Sequence, residues 1–366
     1  MTLPHPRLTL RELRARAVSV PMRLPLQTSG GTVGVAPLVL VDLVTEQGIT
    51  GSAYLFCYTP VALKPTVQMI ENVAATLTGD PVAPLDIDRK LQRQFRLLGA
   101  KGIAGMALAG IDMAAWDALA KAAGMPLARL LGATPRKVPA YNSRGLGIVG
   151  PAKAAVEAEQ LVAPGFTAIK VRLGYADAKA DVEVVRAVRA AVGEMVVLMS
   201  DYNQSLSVAE AVVRCEALAG EGLAWVEEPT SQDDYEGHAA IRAKSTIPIQ
   251  MGENWWGPHE MAKCVAAGGS DLCMPDAMKI GGVTGWMRAA AIAEAAGLPV
   301  SSHLFPEVSA HLLAASPTCH WLEYADWAEP ILREPLRIEK GEAVISDEPG
   351  SGIEWNEENV RRYRVE

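Results

Sequence analysis

Three short segments decide how this chain folds: residues 195–201 (MVVLMSD), 223–227 (LAWVE) and 247–253 (IPIQMGE). Each segment is an apolar run that ends in a carboxylate, and Asp201, Glu227 and Glu253 follow one another at intervals of 26 residues. An interval of this length holds one strand and one helix with their loops, as in a βα unit. The segments therefore predict neighbouring parallel strands whose carboxyl ends carry acids.

Five further apolar runs extend this pattern in both directions along the chain. Helical sequence separates the eight runs, which cover residues 138–141, 168–173, 195–199, 223–226, 247–251, 272–274, 300–302 and 321–322. Eight strands alternating with helices predict an α/β fold of the TIM-barrel type, with one helix missing or replaced. A doubly wound sheet is the alternative, but no GxGxxG phosphate-binding sequence follows any of the runs.

The sequence on either side of the barrel has a different texture. Residues 11–60 contain β-branched runs and residues 61–133 are rich in Ala, Leu, Met and Lys, which is typical of an α+β domain. Glycine- and proline-containing turns mark the tail after residue 327. We therefore expect an α+β domain over residues 1–133, a barrel over 134–326, and a segment over 327–366 that returns to the first domain.

Net charge, cysteine spacing and the apolar runs indicate which binding partners and which cellular compartment to expect. The 366 residues carry 34 Lys and Arg against 42 Asp and Glu, a formal net charge of −8, which argues against a nucleic-acid partner. Five cysteines without CxxC spacing are typical of a reduced, cytoplasmic protein. No apolar run resembles a signal peptide or a membrane span, so we expect no membrane partner. A local cluster of cations can still bind a small anionic substrate.

The strand-end acids predict a metal site. Carboxyl ends of barrel strands open on one face, so Asp201, Glu227 and Glu253 should lie together there. Three carboxylates repel one another unless a cation compensates them. Oxygen ligands favour Mg²⁺, or Mn²⁺, over zinc, which prefers Cys and His.

Further charged residues occur at the ends of other predicted strands. In the run AIKVR, alternation places Lys170 and Arg172 on one face and the apolar residues on the other, so both cations should point into the barrel. Asp276 and His303 end two adjacent runs, and an Asp beside a His fixes the tautomer and raises the basicity of the free ring nitrogen. Glu323 ends the last run.

This combination of groups suits one class of reaction. A carboxylate substrate binds the metal, a base removes the proton α to the carboxylate, and the cationic groups stabilise the resulting ene-diolate. Enolase-superfamily enzymes use a Lys or His base with Mg²⁺ in this way.

Longer motifs now identify a family. From about residue 35 to about residue 325, the chain resembles the mandelate racemase subgroup of the enolase superfamily. This subgroup is part of the mandelate racemase/muconate lactonizing enzyme family. The matching motifs are PLVLVDL, SAYLFCYTPVALK, AGIDMAAWDALAK, SDYNQSL, WVEEPT, DDYEGH, QMGENWWGP, MPDAMKIGGVTGW, SSHLFPE and SAHLLAA. The resemblance implies a capping domain, made from the N-terminal part and the C-terminal tail, over a modified TIM barrel. It also implies a homo-oligomer, octameric or dimeric.

The resemblance also implies roles for individual residues. Asp201, Glu227 and Glu253 match the Mg²⁺ ligands, and Asp276 with His303 matches the dyad that works on the R face of the α-carbon. The remaining matches are Lys170 for neutralising the substrate carboxylate, Glu323 as a protonated hydrogen-bond donor with a raised pKa, Asn203 near metal and substrate, and Ser143 near the carboxylate. Tyr54, in a cap loop, indicates a substrate pocket that is not purely polar. Two cap loops, around residues 22–35 and 52–60, should shape that pocket.

One position departs from the family. The lysine that acts as the base on the S face is replaced by Arg172, and a guanidinium with a pKa above about 12 is a poor general base. Arg172 can still serve as a bidentate clamp for a carboxylate. True two-base racemisation is therefore in question, whereas His303 alone can remove an α-proton and protonate a leaving β-hydroxyl.

Four functions remain open at this point. The first is a racemase or epimerase of a 2-hydroxy acid, favoured by the overall similarity, and the second is an acid-sugar dehydratase (hydro-lyase), favoured by Arg172. A non-catalytic binding protein would have lost a metal ligand or the dyad, and both are present. A Schiff-base aldolase could use Lys170, but it has no use for three metal carboxylates.

Overall fold

The computed structural model describes residues 7–28 and 30–365. Its strands are β1 (Leu10–Thr28), β2 (Gly31–Thr45), β3 (Thr50–Phe56), β4 (Val138–Asn142), β5 (Ala168–Arg172), β6 (Val197–Asp201), β7 (Leu223–Glu227), β8 (Ile249–Met251), β9 (Leu272–Cys273), β10 (Leu322–Tyr324), β11 (Arg337–Glu339) and β12 (Glu342–Val344). Its α-helices are α1 (Leu63–Leu77), α2 (Pro84–Gln94), α3 (Gly102–Ala122), α4 (Leu127–Leu130), α5 (Pro151–Val162), α6 (Ala178–Val192), α7 (Val208–Leu218), α8 (Tyr235–Arg242), α9 (Pro258–Ala267), α10 (Gly282–Ala296), α11 (Pro306–Ala314) and α12 (Glu357–Tyr363).

The N-terminal part is a cap built from one sheet and four helices. Strands β1, β2 and β3 pair antiparallel in that order, and α1 and α3 pack against them. Helix α3 is apolar on nearly every side, which fits its position between the sheet and the barrel. Within the described residues, α3 is the one helix long and apolar enough to cross a bilayer by length and composition alone, and 78% of its apolar stretch is buried.

The barrel is a ring of parallel strands. Strands β4 to β9 pair in sequence order, and β10 pairs with β4. The seventh barrel strand is an extended segment at residues 300–303, which makes single parallel bridges from Val300 to Cys273 and Cys319 and from His303 to Asp276. Each of the first seven barrel strands is followed by one of the helices α5 to α11, whereas β10 leads to a 3₁₀ turn (Glu329–Ile331). The predicted barrel with a missing eighth helix is therefore confirmed.

Side-chain alternation divides the barrel strands into an outer and an inner face. Ile169 and Val171 of β5 belong to the apolar cluster formed with the outer helices. Tyr141, Met199 and Trp225 fill the inside of the ring together with Ala168. The ring is therefore closed by side chains below the level of Asp201 and Glu227, and the charged strand ends lie above this plug.

The cap segment around residues 22–35 differs from the expected loop. Residues 22–28 and 31–35 belong to the two strands at the end of the β1–β2 hairpin. Residues 26–28 pair with residues 31–33, and a register shift separates these pairs from the pair of Pro21 with Val35. The tip is mostly exposed, so no apolar alternation revealed the strands in the sequence. Ser29, at the turn, lies outside the described residues.

The C-terminal segment contacts both parts of the molecule. Strand β12 pairs with β4 of the barrel, and β11 pairs with β12. Farther on, Ser351 donates two hydrogen bonds to Asp117 of α3, and Arg364 forms a bridge with Val18 on the free edge of β1. Domain limits at 133/134 and 326/327 remain our proposal, and residues 1–6 of the first predicted domain lie outside the described residues.

Candidate active site

Three carboxylates converge at the carboxyl end of the barrel. Asp201 and Glu227 are the last residues of β6 and β7, and Glu253 follows β8 after Gly252. Gly252 has a φ of 138°, and a Cβ there would lie 2.9 Å from the Met274 nitrogen, so only glycine permits this turn. One oxygen from each of the three acids lies within 4.8 Å of the others. The acids are therefore close enough to share one ion.

The charge and donor atoms of this cluster fit a hard divalent cation. Burial raises the pKa of Glu227 to about 8; Lys170 opposes this shift, and the carboxylates of Asp201, Glu323 and Glu253 add to it. Excess negative charge in a buried site is relieved by a cation, and an all-oxygen donor set favours Mg²⁺ or Mn²⁺. Asp201, Glu227 and Glu253 are the residues that would hold it.

His303 and Asp276 form the predicted dyad. His303 Nδ1 lies 2.6 Å from Asp276 Oδ2, and the other Asp276 oxygen accepts from the backbone N–H groups of Met278 and Lys279. Asp276 is thus fixed, and it holds the His303 ring with Nε2 directed towards Glu253 Oε2, 3.4 Å away. Burial lowers the pKa of His303, but the nearby carboxylates and Asp276 outweigh it and raise the pKa to about 9.

Lys170 points into the barrel, as alternation predicts. Its Nζ lies 2.6 Å from Glu227 Oε1, 2.8 Å from Glu323 Oε1 and 3.3 Å from Asp201 Oδ2. Burial lowers the pKa of Lys170, but the surrounding carboxylates outweigh this effect and hold it well above its usual range. A Schiff-base lysine needs the opposite, a lowered pKa, so this environment does not favour the aldolase alternative.

Arg172 also points inward, but its environment is neutral. Its guanidinium donates to the carbonyl oxygens of Gly145 at 2.8 Å and Ser143 at 3.2 Å, and to the Ser143 hydroxyl at 3.2 Å. Arg172 is 4% exposed, and no carboxylate oxygen of a described residue lies within 4.0 Å of it. Its buried Nε makes no hydrogen bond within the described part of the chain.

Glu323 does not meet the expectation of a raised pKa. Burial raises the pKa of its carboxyl, but the ammonium of Lys170 and the His303 ring outweigh burial, and the pKa lies well below its usual range. The reason is the 2.8 Å contact between Glu323 Oε1 and Lys170 Nζ. In this arrangement Glu323 is an ionised partner of Lys170 rather than a neutral donor, and the expectation is corrected accordingly.

Asn203 and Ser143 both contact charged residues of the site. Asn203 has a φ of 46° and donates to both carboxylate oxygens of Asp201, from its backbone N–H at 2.7 Å and its side-chain amide at 3.0 Å. Ser143 accepts from Arg172 and is held by a backbone hydrogen bond to Tyr324. Both residues are therefore next to the predicted site, one on its metal side and the other beside the guanidinium.

Tyr54 reaches the barrel from the cap. Its hydroxyl donates to Glu307 Oε2 at 2.7 Å, and its ring packs against Phe305 at 5.1 Å between centroids. Phe305 and the preceding Leu304 have positive φ values of 49° and 50° and follow directly after His303. Tyr54 thus forms an apolar wall with these residues, and its hydroxyl is already used by Glu307.

Several residues near the site were not singled out by sequence reasoning. Alternation along β7 would place Glu228 on the side opposite to Glu227, but β7 ends at Glu227 and the φ of Glu228 is 35°. Its carboxylate therefore shares a hydrogen-bond donor with Glu253. The donor is Asn254, which in turn contacts Lys279. The ring of Tyr58, in the predicted cap loop at 52–60, lies over Lys279. The sequence could have indicated Asn254 and Lys279, because Asn254 follows Glu253 directly and Lys279 lies shortly after Asp276.

Comparison with known proteins identifies both parts of the chain. Residues 10–132 match the family model for the mandelate racemase/muconate lactonizing enzyme N-terminal domain, and residues 153–359 match the enolase C-terminal domain-like model. The chain is 33% identical over 297 residues to L-talarate/galactarate dehydratase of Salmonella typhimurium, which covers 80% of this chain and 74% of that protein. Other curated relatives are named as cycloisomerases, epimerases and racemases.

Solved structures agree over the whole chain. A Bradyrhizobium enolase in complex with magnesium and mandelic acid is 44% identical, with a TM-score of 0.95 and coverage of 100% of both chains. L-Talarate dehydratase from Polaromonas sp. JS666, in complex with Mg and L-glucarate, is 29% identical, with a TM-score of 0.88 and coverage of 98% of both chains. The chain therefore belongs to the mandelate racemase/muconate lactonizing enzyme family of the enolase superfamily, whose members are isomerases and lyases, and it is a Mg²⁺-dependent enzyme of one of these two classes.

Proposed function

We propose that this enzyme is an acid-sugar dehydratase, a hydro-lyase that converts a 2,3-dihydroxy acid to a 2-keto-3-deoxy acid. The observation that supports this choice over racemisation is the environment of Arg172. Its guanidinium is held by neutral oxygens, and no described carboxylate is close enough to accept its proton. The site thus offers one acid–base group, His303, and two fixed cations, Lys170 and Arg172.

His303 is the proposed base and acid. Once the His303 ring has lost one proton, the 2.6 Å contact in which Asp276 Oδ2 accepts from Nδ1 keeps the remaining ring proton on Nδ1 and leaves the lone pair on Nε2. Nε2 takes the α-proton of the substrate as the C–H bond breaks. The imidazolium then gives this proton to the β-hydroxyl as its C–O bond breaks, which releases water and an enol, and the enol tautomerises to the 2-keto acid.

The other residues bind and stabilise the substrate. When held by Asp201, Glu227 and Glu253, Mg²⁺ supplies positive charge that lowers the cost of adding negative charge to the substrate carboxylate. Lys170 and Arg172 provide fixed cations, the second of them beside Ser143, and Asn203 keeps Asp201 in place. Glu323 orients the Lys170 ammonium. The proposed substrate-binding groups are Asn203, Ser143 and the wall that includes Tyr54.

The test is a screen of acid sugars with Mg²⁺, read by detection of 2-keto acids. We expect a 2-keto-3-deoxy product from at least one acid, and His303→Asn should lower its formation by about 10²- to 10⁴-fold because a positioned base contributes that much. Mg²⁺ binding to the variant, measured calorimetrically, should persist. His259→Asn, at an exposed residue of α9, is the matched control. Full activity of His303→Asn would eliminate His303 as the base.

A second candidate is a racemase or epimerase of an aromatic 2-hydroxy acid. The relative from Bradyrhizobium is complexed with mandelic acid, and in this chain Leu304, Phe305 and Tyr54 provide an apolar wall beside His303. Polarimetry of mandelate enantiomers with Mg²⁺ tests this alternative. Racemisation at a rate above that of any dehydration would reverse our order of preference.

Partner and compartment assignments are part of the same proposal. We expect a small carboxylate substrate, no nucleic-acid or membrane partner, a homo-oligomer (octamer or dimer) and a cytoplasmic location. All five cysteines are free thiols, and Cys57, Cys215, Cys264 and Cys273 are buried, as suits a reducing compartment. Light scattering at working concentration would determine the oligomeric state, and a monomer would contradict the expectation.

A further inference from the structure

A chain of side-chain contacts adjoins the carboxylate cluster and takes no part in the proposed reaction. It runs from Lys279, in the loop after β9, through Asn254 to Glu253 and Glu228. We propose that Asn254 and Lys279 are positioning residues for Glu253, which set the orientation of its carboxylate for the divalent cation. This inference rests on the metal site of the proposed function and concerns residues to which that function assigns no role.

Asn254 connects two acids through one nitrogen. Its Nδ2 donates to Glu228 Oε2 at 2.7 Å and to Glu253 Oε1 at 3.1 Å. Because an amide NH₂ group carries two hydrogens, one nitrogen can serve both acceptors. With Oε1 held in this way, the Glu253 carboxylate is no longer free to rotate about its last bond, and Oε2 remains on the side of His303, 3.4 Å from Nε2.

Lys279 determines which end of the Asn254 amide faces the acids. Its Nζ lies 2.5 Å from Asn254 Oδ1, and an ammonium can only donate, so the amide oxygen must face Lys279 and the nitrogen must face Glu253 and Glu228. Lys279 is 7% exposed, and no carboxylate oxygen of a described residue lies within 4.0 Å of it. Its ammonium also lies over the ring of Tyr58, 4.3 Å from the ring centroid. The buried charge is therefore directed at the amide.

Positioning and simple electrostatics make opposite predictions for Lys279. Removing a positive charge near a cation site strengthens cation binding by Coulomb's law alone. Removing the group that fixes Asn254, by contrast, loosens Glu253 and weakens binding. Outer partners of metal ligands typically change metal affinity by about 10- to 100-fold when they are removed. The sign of the change in Mg²⁺ affinity therefore distinguishes the two effects.

The experiment is calorimetric titration of Mg²⁺ into the full-length, chelator-treated protein without substrate. Asn254→Ala should raise the Kd for Mg²⁺ about 10- to 100-fold, and Lys279→Met should raise it in the wild-type background. In the Asn254→Ala background, Lys279→Met should cause no further weakening, because the two residues act through one contact chain. Lys279→Arg, which keeps a donor, should recover part of the affinity.

Controls separate this effect from a general loss of structure. Asn72→Ala and Lys263→Met change exposed residues of α1 and α9 and should leave the Kd unchanged. Thermal unfolding without Mg²⁺ checks that each variant is folded, and Asn254→Ser replaces the alanine variant if the latter is not. An unchanged Kd in Asn254→Ala, or tighter binding in Lys279→Met, would overturn the inference. Neither result depends on which acid is converted, so the proposed dehydration would stand or fall separately.

Discussion

Lys170 and Arg172 lie two residues apart on β5 and point to the same side, yet the surroundings of Lys170 are negatively charged and those of Arg172 are neutral. Three carboxylates contact Lys170, whereas Arg172 contacts carbonyl and hydroxyl oxygens. The ammonium is therefore compensated within the protein. The guanidinium has lost water without gaining a counter-ion, so an anionic group of the substrate would stabilise it.

The one-base assignment can be tested by restoring the residue that Arg172 replaces. In Arg172→Lys, we expect proton exchange at the α-carbon from the face opposite His303 to rise about 10²-fold, because an amine can lose a proton at accessible pH. Proton NMR of each enantiomer in D₂O measures this exchange. In the wild-type enzyme only the enantiomer that presents its α-proton to His303 should exchange; exchange of both enantiomers would indicate a second base.

Sequence alone could locate most of the candidate site at this scale, but not its contacts. Asp201, Glu227, Glu253, Asp276 and His303 were found because strand ends in a barrel share one face. The pKa of Glu323 was misjudged because it depends on how closely Lys170 approaches. Alternation failed at Glu228, since β7 ends one residue earlier and the backbone turns to a positive φ.

At the level of elements, β3 and α3 of the cap pack in close contact at Gly51. Gly51 of β3 lies so close to α3 that a Cβ would collide with the Ala114 carbonyl oxygen and lie 2.6 Å from the Ala118 nitrogen. The atoms it would meet are mainly helix backbone, which cannot rotate away as a side chain can. Gly51 therefore allows the strand to pass directly over the helix.

This packing predicts a specific loss of stability. Gly51→Ala should lower the free energy of unfolding by about 1–3 kcal/mol, because the added methyl group forces strand and helix apart. Urea denaturation followed by circular dichroism measures the change. Gly34→Ala, at the exposed start of β2 with nothing within 4 Å of the added carbon, is the control and should change stability little. Equal effects in both variants would show that packing against α3 is not responsible.

Elements were predictable where burial imposes a pattern. The barrel strands were recognised because both faces of a parallel sheet are covered, which gives continuous apolar runs. The seventh barrel strand was predicted correctly at residues 300–302, although it makes only single bridges at Val300 and His303. The hairpin end at residues 22–35 was taken as a loop, since its exposed strands need no alternation.

At the level of the whole molecule, the cap and the barrel are joined by buried polar contacts. Asp112 of α3 accepts two hydrogen bonds from Thr284 of α10. His311 of α11 accepts a hydrogen bond through Nδ1 from the Ala128 N–H of α4, at 3.1 Å. Each contact fixes a cap helix on a barrel helix, so the cap is held in one position over the carboxyl ends of the strands.

His311 makes stability depend on pH. Burial lowers its pKa from 6.5 to about 4, against a smaller raising effect of a hydrogen bond with the Ser351 backbone. As the pH falls from 6.5 towards 4, the unfolded chain therefore binds a proton at this residue that the folded chain does not. This difference lowers the free energy of unfolding by up to about 3 kcal/mol. In His311→Gln that part of the decline should disappear, whereas His259→Gln, at an exposed site, should keep it. Urea denaturation at several pH values measures both.

The bridge between Arg364 and Val18 has a consequence for synthesis. It covers part of the free edge of β1 with residues that are synthesised only after the whole barrel. A nascent chain consequently carries an open strand edge for the whole time that the ribosome needs to produce the barrel, and open edges pair with other chains. Slow elongation or early termination would extend the interval in which this protein is vulnerable to aggregation.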